Sequence, residues 1–264
     1  MAPEDIFELY EEIKDDLKFI TSSDIRAKII ISLKEGPKKL GDLKNEVHMR
    51  SSSILHSMSQ LETKNLITRE FQSYSLSQTG EMAATILIDM VNSFSLIKEN
   101  ENFWLNHEIN EIPDELIGKI DDLSDFKIIN SSISDSSEQS IFKELLLNCE
   151  VIKGIISPLI IHDEFEVVTK KEDIHFILAG NNSKDAIGKL KFQDISITEN
   201  IKLWEIKGNL KLILIITDKF MLLNLPPIQK NDSISYLISE TEESIEWGNK
   251  LFNYYLNQAE ELNI

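Results

Sequence analysis

The sequence predicts a two-part chain of α/β class (α+β overall): a helical N-terminal module with a small hairpin, joined by a long helix to a C-terminal α/β domain. Three observations carry this. Apolar residues recur at helical spacing through most of residues 4–100. The period changes to short strands only at 66–77. From residue 126 onward, β-rich runs alternate with helical or irregular stretches. A chain of 264 residues holds two domains of moderate size, placed at 1–100 and 101–264.

The elements follow in order. In residues 4–20, Ile6, Tyr10, Ile13, Leu17 and Ile20 are spaced as a seam for another helix, and Glu8, Glu11, Glu12, Asp15 and Asp16 form the opposite face. Packing on its own domain and a dimer contact are both open for that seam. Thr21-Ser22-Ser23-Asp24 supplies capping residues for a helix over 24–35, which buries Ile25, Ile29, Ile30 and Leu33 and stops at Gly36-Pro37. A short helix over 39–46 turns Leu40, Leu43 and Val47 inward. The turn His48–Ser53 leads into a helix over 51–64 with Ile54, Met58 and Leu61 inward. Leu66–Arg69 and Tyr74–Leu76 are two short strands around a tip at Glu70–Ser73. A helix over 80–100 repeats Ala83, Leu87, Met90, Phe94 and Ile97. Helix, helix, helix, hairpin is the order of a winged helix-turn-helix.

In the second half, strands are expected at 126–130, 151–157, 174–179, 201–206, 211–217 and 220–225, with a helix over 137–149. Crossovers between the first three strands predict parallel pairing among them. Asp218-Lys219 predicts a hairpin, and Ser239–Glu242 a capping box for a terminal helix running to 262.

Charge singles out a segment within the first part. The whole carries −18, yet residues 21–80 hold 9 Lys/Arg against 6 Asp/Glu and are net +3. The acidic remainder opposes indiscriminate binding to polyanions, while a locally basic module can still read a specific site. No apolar run approaches the roughly 18 residues of a membrane span. The first twenty residues are acidic and unlike a signal peptide, so a cytoplasmic protein without a membrane partner is expected. The single cysteine, Cys149, excludes an internal disulfide and reads as a small buried apolar residue.

The helix over 51–64 is the chief candidate for function. Ser51, Ser52, Ser53, His56, Ser57, Gln60 and Lys64 are assigned to its non-apolar side. Small hydroxyls at a helix start let backbone N–H groups approach phosphate, and His56 and Gln60 are suited to base edges. Arg50 precedes this helix. Lys38 and Lys39 at the start of the short helix over 39–46, with Arg69 and Gln72 in the hairpin, would touch the flanking backbone of double-stranded DNA. In the α/β half, ligands favour the carboxyl ends of strands, which nominates Ser132, Ser157, Asn181 and Ser183, with His162 in a nearby loop, for a small effector.

Residues 22–80 resemble archaeal and bacterial one-component regulators. The resemblance rests on Arg26, Ile30, Leu33, Gly36, Leu40, Leu43, Ser53, Ile54, His56, Met58, Leu61, Leu66, Ile67, Tyr74, Leu76 and Gly80. Phe103–Ile109 with Ile112-Pro113, and the closing stretch 243–262, are similar to a group of methanogen regulators that pair a winged helix with a methanogenesis-regulator middle domain. The resemblance implies a regulator and names no ligand.

No GxSxG, P-loop or GxGxxG occurs, and no two histidines stand at metal-ligand spacing. The phospholipase-D type of α/β fold needs a His-x-Lys motif, and none of the five histidines has Lys two positions on. No catalytic residue, metal or cofactor is therefore expected. The leading expectation is a homodimeric, sequence-specific DNA-binding regulator on a pseudo-palindromic operator, with a C-terminal half that senses an effector or mediates assembly. An enzyme fused to a DNA-binding module, and an interaction adaptor whose winged helix has lost DNA binding, are the alternatives.

Overall fold

Ser23 begins the first tightly packed helix as the sequence requires: its hydroxyl accepts the Arg26 backbone N–H at 3.4 Å, capping α2. In this computed structural model, residues 3–132, 146–156, 171–179, 200–208, 210–229 and 233–262 are described. The chain divides into two units, Met1–Phe94 and Ser95–Ile264.

The first unit contains α1 (Pro3–Thr21), α2 (Asp24–Leu33), β1 (Lys38–Lys39), α3 (Leu40–Val47), α4 (Ser51–Thr63), β2 (Ile67–Glu70), β3 (Ser73–Leu76) and most of α5 (Gln78–Glu99). β2 and β3 form the predicted antiparallel hairpin, and β1 adds two residues to its other side. β1 is too short to leave a periodic signal. Ile29, Ile30 and Leu33 of α2, Leu43 and Val47 of α3, and Ile54, Met58 and Leu61 of α4 close one core with Ile67, Tyr74, Ala84 and Leu87. Each large side chain there contributes roughly 1.5–3 kcal/mol by leaving water.

Two details fix the module's joints. The Arg26 guanidinium donates to the Phe19 carbonyl at 2.5 Å and to Gln60 Oε1 at 3.0 Å, and lies 4.3 Å over the Phe19 ring. One side chain thus ties the end of α1 and the flank of α4 to α2. At Gly80, any Cβ would lie 1.8 Å from the Leu66 carbonyl oxygen, so only glycine lets α5 start against the foot of the hairpin.

The seam expected along α1 and α5 does not close within the unit. Only Phe19 and Ile20, at the end of α1, pack on the core, while Ile6, Phe7, Tyr10, Ile13 and Leu17 stay exposed. In α5, Ala84 and Leu87 are buried, and Met82, Ile86, Met90, Val91 and Phe94 are exposed. No uninterrupted apolar run of membrane-span length occurs in α5, since Glu81 and Asp89 divide it, yet by length and overall composition alone the helix is apolar enough to cross a membrane. The reason is an apolar surplus on its outer side in addition to its core-facing side.

The second unit holds α6 (Glu101–Asn106), α7 (Asp114–Ile117), a 3-10 turn (Ile120–Leu123), α8 (Glu242–Leu256) and a mixed sheet in the order β11-β7-β6-β5-β8-β9-β10-β4. Its strands are β4 (Lys127–Ser132), β5 (Val151–Ile156), β6 (Asp173–Ala179), β7 (Ile201–Ile206), β8 (Ile213–Thr217), β9 (Met221–Asn224), β10 (Ser233–Ser239) and β11 (Glu260–Glu261). β5, β6 and β7 run parallel, and β8–β9 is the expected hairpin. Its turn is held by Thr217 Oγ1, which accepts the N–H groups of Lys219 (3.0 Å) and Phe220 (2.9 Å).

Three expectations need correction. β4 does not join the parallel group. It is an edge strand paired antiparallel to β10, whose SISYLIS alternation carries no crossover signal of its own. The terminal helix ends at Leu256, and the chain returns as β11 along β7. Its cap is Thr241, whose hydroxyl accepts Ser244 N–H at 3.2 Å. The helix expected over 137–149 lies outside the described residues except for its last turn.

Side chains alternate between the two faces of this sheet. One face packs under α6, α7 and α8 through Ile155, Ile177, Leu214, Leu223, Trp247, Leu251 and Phe252. Trp247 is fully buried and donates Nε1–H to the Leu116 carbonyl at 3.0 Å. The other face gathers Ile152, Ile174, Phe176, Leu203, Ile215 and Phe220 with Leu146 and Cys149. Burial raises the pKa of the Cys149 thiol, as expected for an inert apolar-type cysteine.

Candidate nucleic-acid interface

The α3–turn–α4 unit is built by local backbone chemistry. His48 closes α3 in the left-handed region (φ 56°, ψ 37°), returning its N–H to the Lys44 carbonyl at 3.2 Å. Met49 and Arg50 then lead into α4. Arg50 is the N-cap of α4 but offers no side-chain acceptor, and the first turn holds no acidic residue. Its carbonyl accepts Ser53 N–H (3.0 Å) and Ile54 N–H (3.1 Å). The start of α4 therefore keeps the positive end of the helix dipole and a cluster of small hydroxyls, an arrangement that suits a phosphate.

Ile54, Ser57, Met58 and Leu61 form the buried side of α4, while Ser52, Leu55, His56, Ser59 and Thr63 are exposed. Ser57, expected off the apolar face, is only 5% exposed. It is three residues from Ile54 and four from Leu61, so helical geometry carries it inward. Ser51 and Ser53 are half-buried. Gln60 stands at the inner edge, where its carbonyl oxygen is held by Arg26.

Two of the lysines assigned to DNA contact are committed elsewhere. Lys38 Nζ is bonded to Glu35 (2.5 Å) and Glu46 (2.6 Å), and these bonds raise its pKa, chiefly through Glu35. The Glu46 carboxyl is lowered in turn by Lys38 and Ser32. Lys64 Nζ is 2.6 Å from Asp16 and 5.7 Å from the Phe19 ring centroid. Glu35 is a local partner of Lys38, whereas Glu46 and Asp16 come close to their lysines only after folding. Lys39, Arg50, Arg69 and Gln72 remain exposed, with the Arg69 guanidinium 5.3 Å from the Tyr74 ring centroid.

Some surface residues of this module escaped the sequence reading. Ser59 completes the exposed row Ser52, His56, Ser59, Thr63, whose 4, 3, 4 spacing complements the buried row and was legible. Leu55 and Met49 are exposed beside it, where apolar side chains suit a thymine methyl. Phe71 at the hairpin tip had no periodic signal.

For the C-terminal pocket, Ser157, His162, Asn181 and Ser183 lie outside the described residues. The backbone of Ser132 ends β4, four strands from β5 and so roughly 19 Å across the sheet from the carboxyl end of β5. Ser132 is therefore separated from the strand ends it was grouped with. Strand register instead aligns Lys153, His175 and Lys202 on β5, β6 and β7. Lys153 Nζ donates to Asn249 Oδ1 of α8 at 3.0 Å. Burial lowers the His175 pKa, and the two lysines act in the same sense against Asp173, 3.0 Å away, so the neutral imidazole is favoured. Cross-strand register of this kind cannot be read from one strand's sequence.

A family model for the N-terminal domain of the methanogenesis regulatory protein FilR1 matches residues 14–95, and one for its middle domain matches residues 139–258. The chain belongs to the FilR1 family of regulatory proteins. A curated relative in this family, Methanogenesis regulatory protein FilR1 of Methanothrix harundinacea (strain 6Ac), is 25% identical over 261 residues. That match takes in 94% of this chain and 58% of the relative, so the chain spans less than two thirds of the relative's length. Among solved structures, TrmBL2, described as an archaeal chromatin protein, matches with a TM-score of 0.41 and 13% identity, covering 99% of this chain and 100% of that one. NucT from Helicobacter pylori matches 52% of this chain and 100% of its own, with a TM-score of 0.39 and 16% identity.

Proposed function

We propose that this family member is a sequence-specific DNA-binding transcriptional regulator that places α4 in the major groove of double-stranded DNA. The observation that carries the reading is the outer side of α4. Ser52, His56 and Ser59 lie in one exposed row behind an uncapped, acid-free helix start, with Arg50 and Lys39 nearby in sequence and Arg69 and Gln72 in the hairpin. Hydroxyls and N–H groups at the helix start hold phosphate, and His56 and Ser59 read base edges. Gln60 takes part through its amide nitrogen while Arg26 fixes its oxygen. The family's regulatory character supports the same reading.

The exposed apolar sides of α1 and α5 support a homodimer, and a two-fold dimer implies a pseudo-palindromic operator with half-sites about 10 bp apart or a multiple of that. The C-terminal unit then biases the DNA-binding units by sensing an effector or by assembly, and catalyses no reaction. A small effector would be bound near Ser157, His162, Asn181 and Ser183. The chain works within the cytoplasm.

The test is a gel shift of the full chain on its own promoter region across a salt series. Retention that falls with salt and loses sequence preference in His56→Ala supports the reading. A chain that retains no duplex at low salt removes it and leaves the adaptor alternative.

A further inference from the structure

The tip of the hairpin is built against two local preferences at once. Glu70 pairs with Ser73, which leaves Phe71-Gln72 as a two-residue loop. Such loops demand positive φ at the first central residue or at both, and glycine, asparagine or aspartate meets that demand cheaply. Here the first position is Phe71, at φ 53°. A β-carbon and ring in the left-handed region cost strain that glycine would avoid. The ring is also 100% exposed, so no packing offsets the strain.

We propose that Phe71 is an apolar wedge that inserts between two base pairs through the minor groove of bound DNA. The inference rests on the DNA-binding reading above and extends it to how the hairpin deforms its site. A ring on a two-residue loop that projects past the short three-stranded sheet, where β1 ends opposite Ser73, is placed like the Phe, Leu, Ile and Met wedges that unstack base steps and kink a duplex. Arg69 and Gln72, both exposed beside it, supply donors for the groove walls. Glu70 alternates to the opposite side of the ribbon from Arg69. A second copy of the chain is the poorer occupant. Thr68, Arg69, Glu70 and Gln72 around the ring are exposed and polar, so it has no apolar rim, whereas α1 and α5 carry the extended apolar sides that a protein partner needs.

The experiment begins with selection of duplexes from a random pool by the full chain. The selected duplex is then synthesised with 2-aminopurine at successive positions, and its fluorescence reports unstacking. Wild type should brighten the probe at one step of each half-site. Phe71→Gly should bind about tenfold more weakly, lose that brightening, keep the salt slope of wild type, and melt at the same or a higher temperature. Phe71→Leu should retain most of both signals. If the selected duplex is bound but no position brightens, or if Phe71→Gly binds and brightens like wild type, the wedge falls and the DNA-binding reading stands. A lower melting temperature for Phe71→Gly would mean that the fold uses the ring, and overturns the proposal too. If no duplex is retained, the DNA-binding reading itself fails and the wedge with it.

Discussion

Helices α5 and α8 look alike in sequence and are used differently. Each repeats apolar residues three and four apart over several turns. α8 buries Trp247, Leu251, Phe252 and Tyr255 against its own sheet. α5 gives Ala84 and Leu87 to the winged-helix core but leaves Ile86 68% and Phe94 66% exposed. Across the described residues, fourteen of the exposed large apolar side chains belong to the first unit and seven to the second, although the first unit is the shorter. The lesson is that an amphipathic pattern names an interface without naming its partner. For α8 the partner is the same chain, and for the outer side of α5 the proposed partner is a second copy.

The sharpest way to break this contrast is to damage both helices at buried and exposed sites. Trp247→Ala empties the space under α8 and removes the indole bond to the Leu116 carbonyl, so we expect a loss of about 3–5 kcal/mol in denaturant unfolding. Leu87→Glu, at 6% exposure in the first unit's core, should be comparably damaging through a buried unpaired charge. Ile86→Glu with Phe94→Glu should instead change fold stability by no more than about 0.5 kcal/mol per site while converting a dimer to a monomer. Light scattering that gives a monomer mass before and after that double change defeats the dimer proposal, and an unchanged dimer mass moves the contact off α5.

A smaller effect is expected on α4. His56→Ala with Ser59→Ala should relax sequence preference by about 1–3 kcal/mol for each lost base contact, measured by competition between the selected duplex and single-base variants. Equal discrimination by wild type and the double variant would move the reading face off this helix.

The least effect belongs to α8's own polar handle. Burial, helped by Glu111, pushes the Tyr255 hydroxyl up to about 12, and it donates to the Glu111 carbonyl at 2.6 Å. In the unfolded chain this group ionises near 10. Between these values the unfolded state has released the proton and the native state has kept it, so stability falls as pH rises from about 10 through 12. Wild type should exceed Tyr255→Phe by about 1 kcal/mol at neutral pH, and the gap should close across that window. A gap that stays constant from neutral pH to 12 would show that the hydroxyl is not held protonated by the fold.

What was legible follows the range of the interaction. The elements α2 to α5 and the hairpin came from spacings of three or four and from local caps, all within a few residues. The parallel pairing of β5 with β6 came from strand–crossover order, whereas that of β6 with β7 was not foreseen. Unread were pairings decided over more than a hundred residues, such as β4 with β10. The interface showed the same divide. The exposed row on α4 is periodic and visible, whereas the capture of Lys38 by Glu46, and of Lys64 by Asp16, depends on where other helices come to rest. Ser57 was misplaced by its polarity, because a small hydroxyl tolerates burial within a helix.

The way α1 is fastened has a consequence for how the chain behaves at different concentrations. Its last turn is anchored by Arg26 at the Phe19 carbonyl and by Lys64 at Asp16, while every residue from Asp5 to Ile13 is exposed. An isolated helical stretch of that length is marginal in water. If a second copy covers the apolar side, helix formation and association share one free energy, and mass action governs both. Amide hydrogens near Ile6 to Ile13 should then exchange faster on dilution, while those of α2 and α4 keep their protection. The start of this chain would act as a gauge of its own concentration.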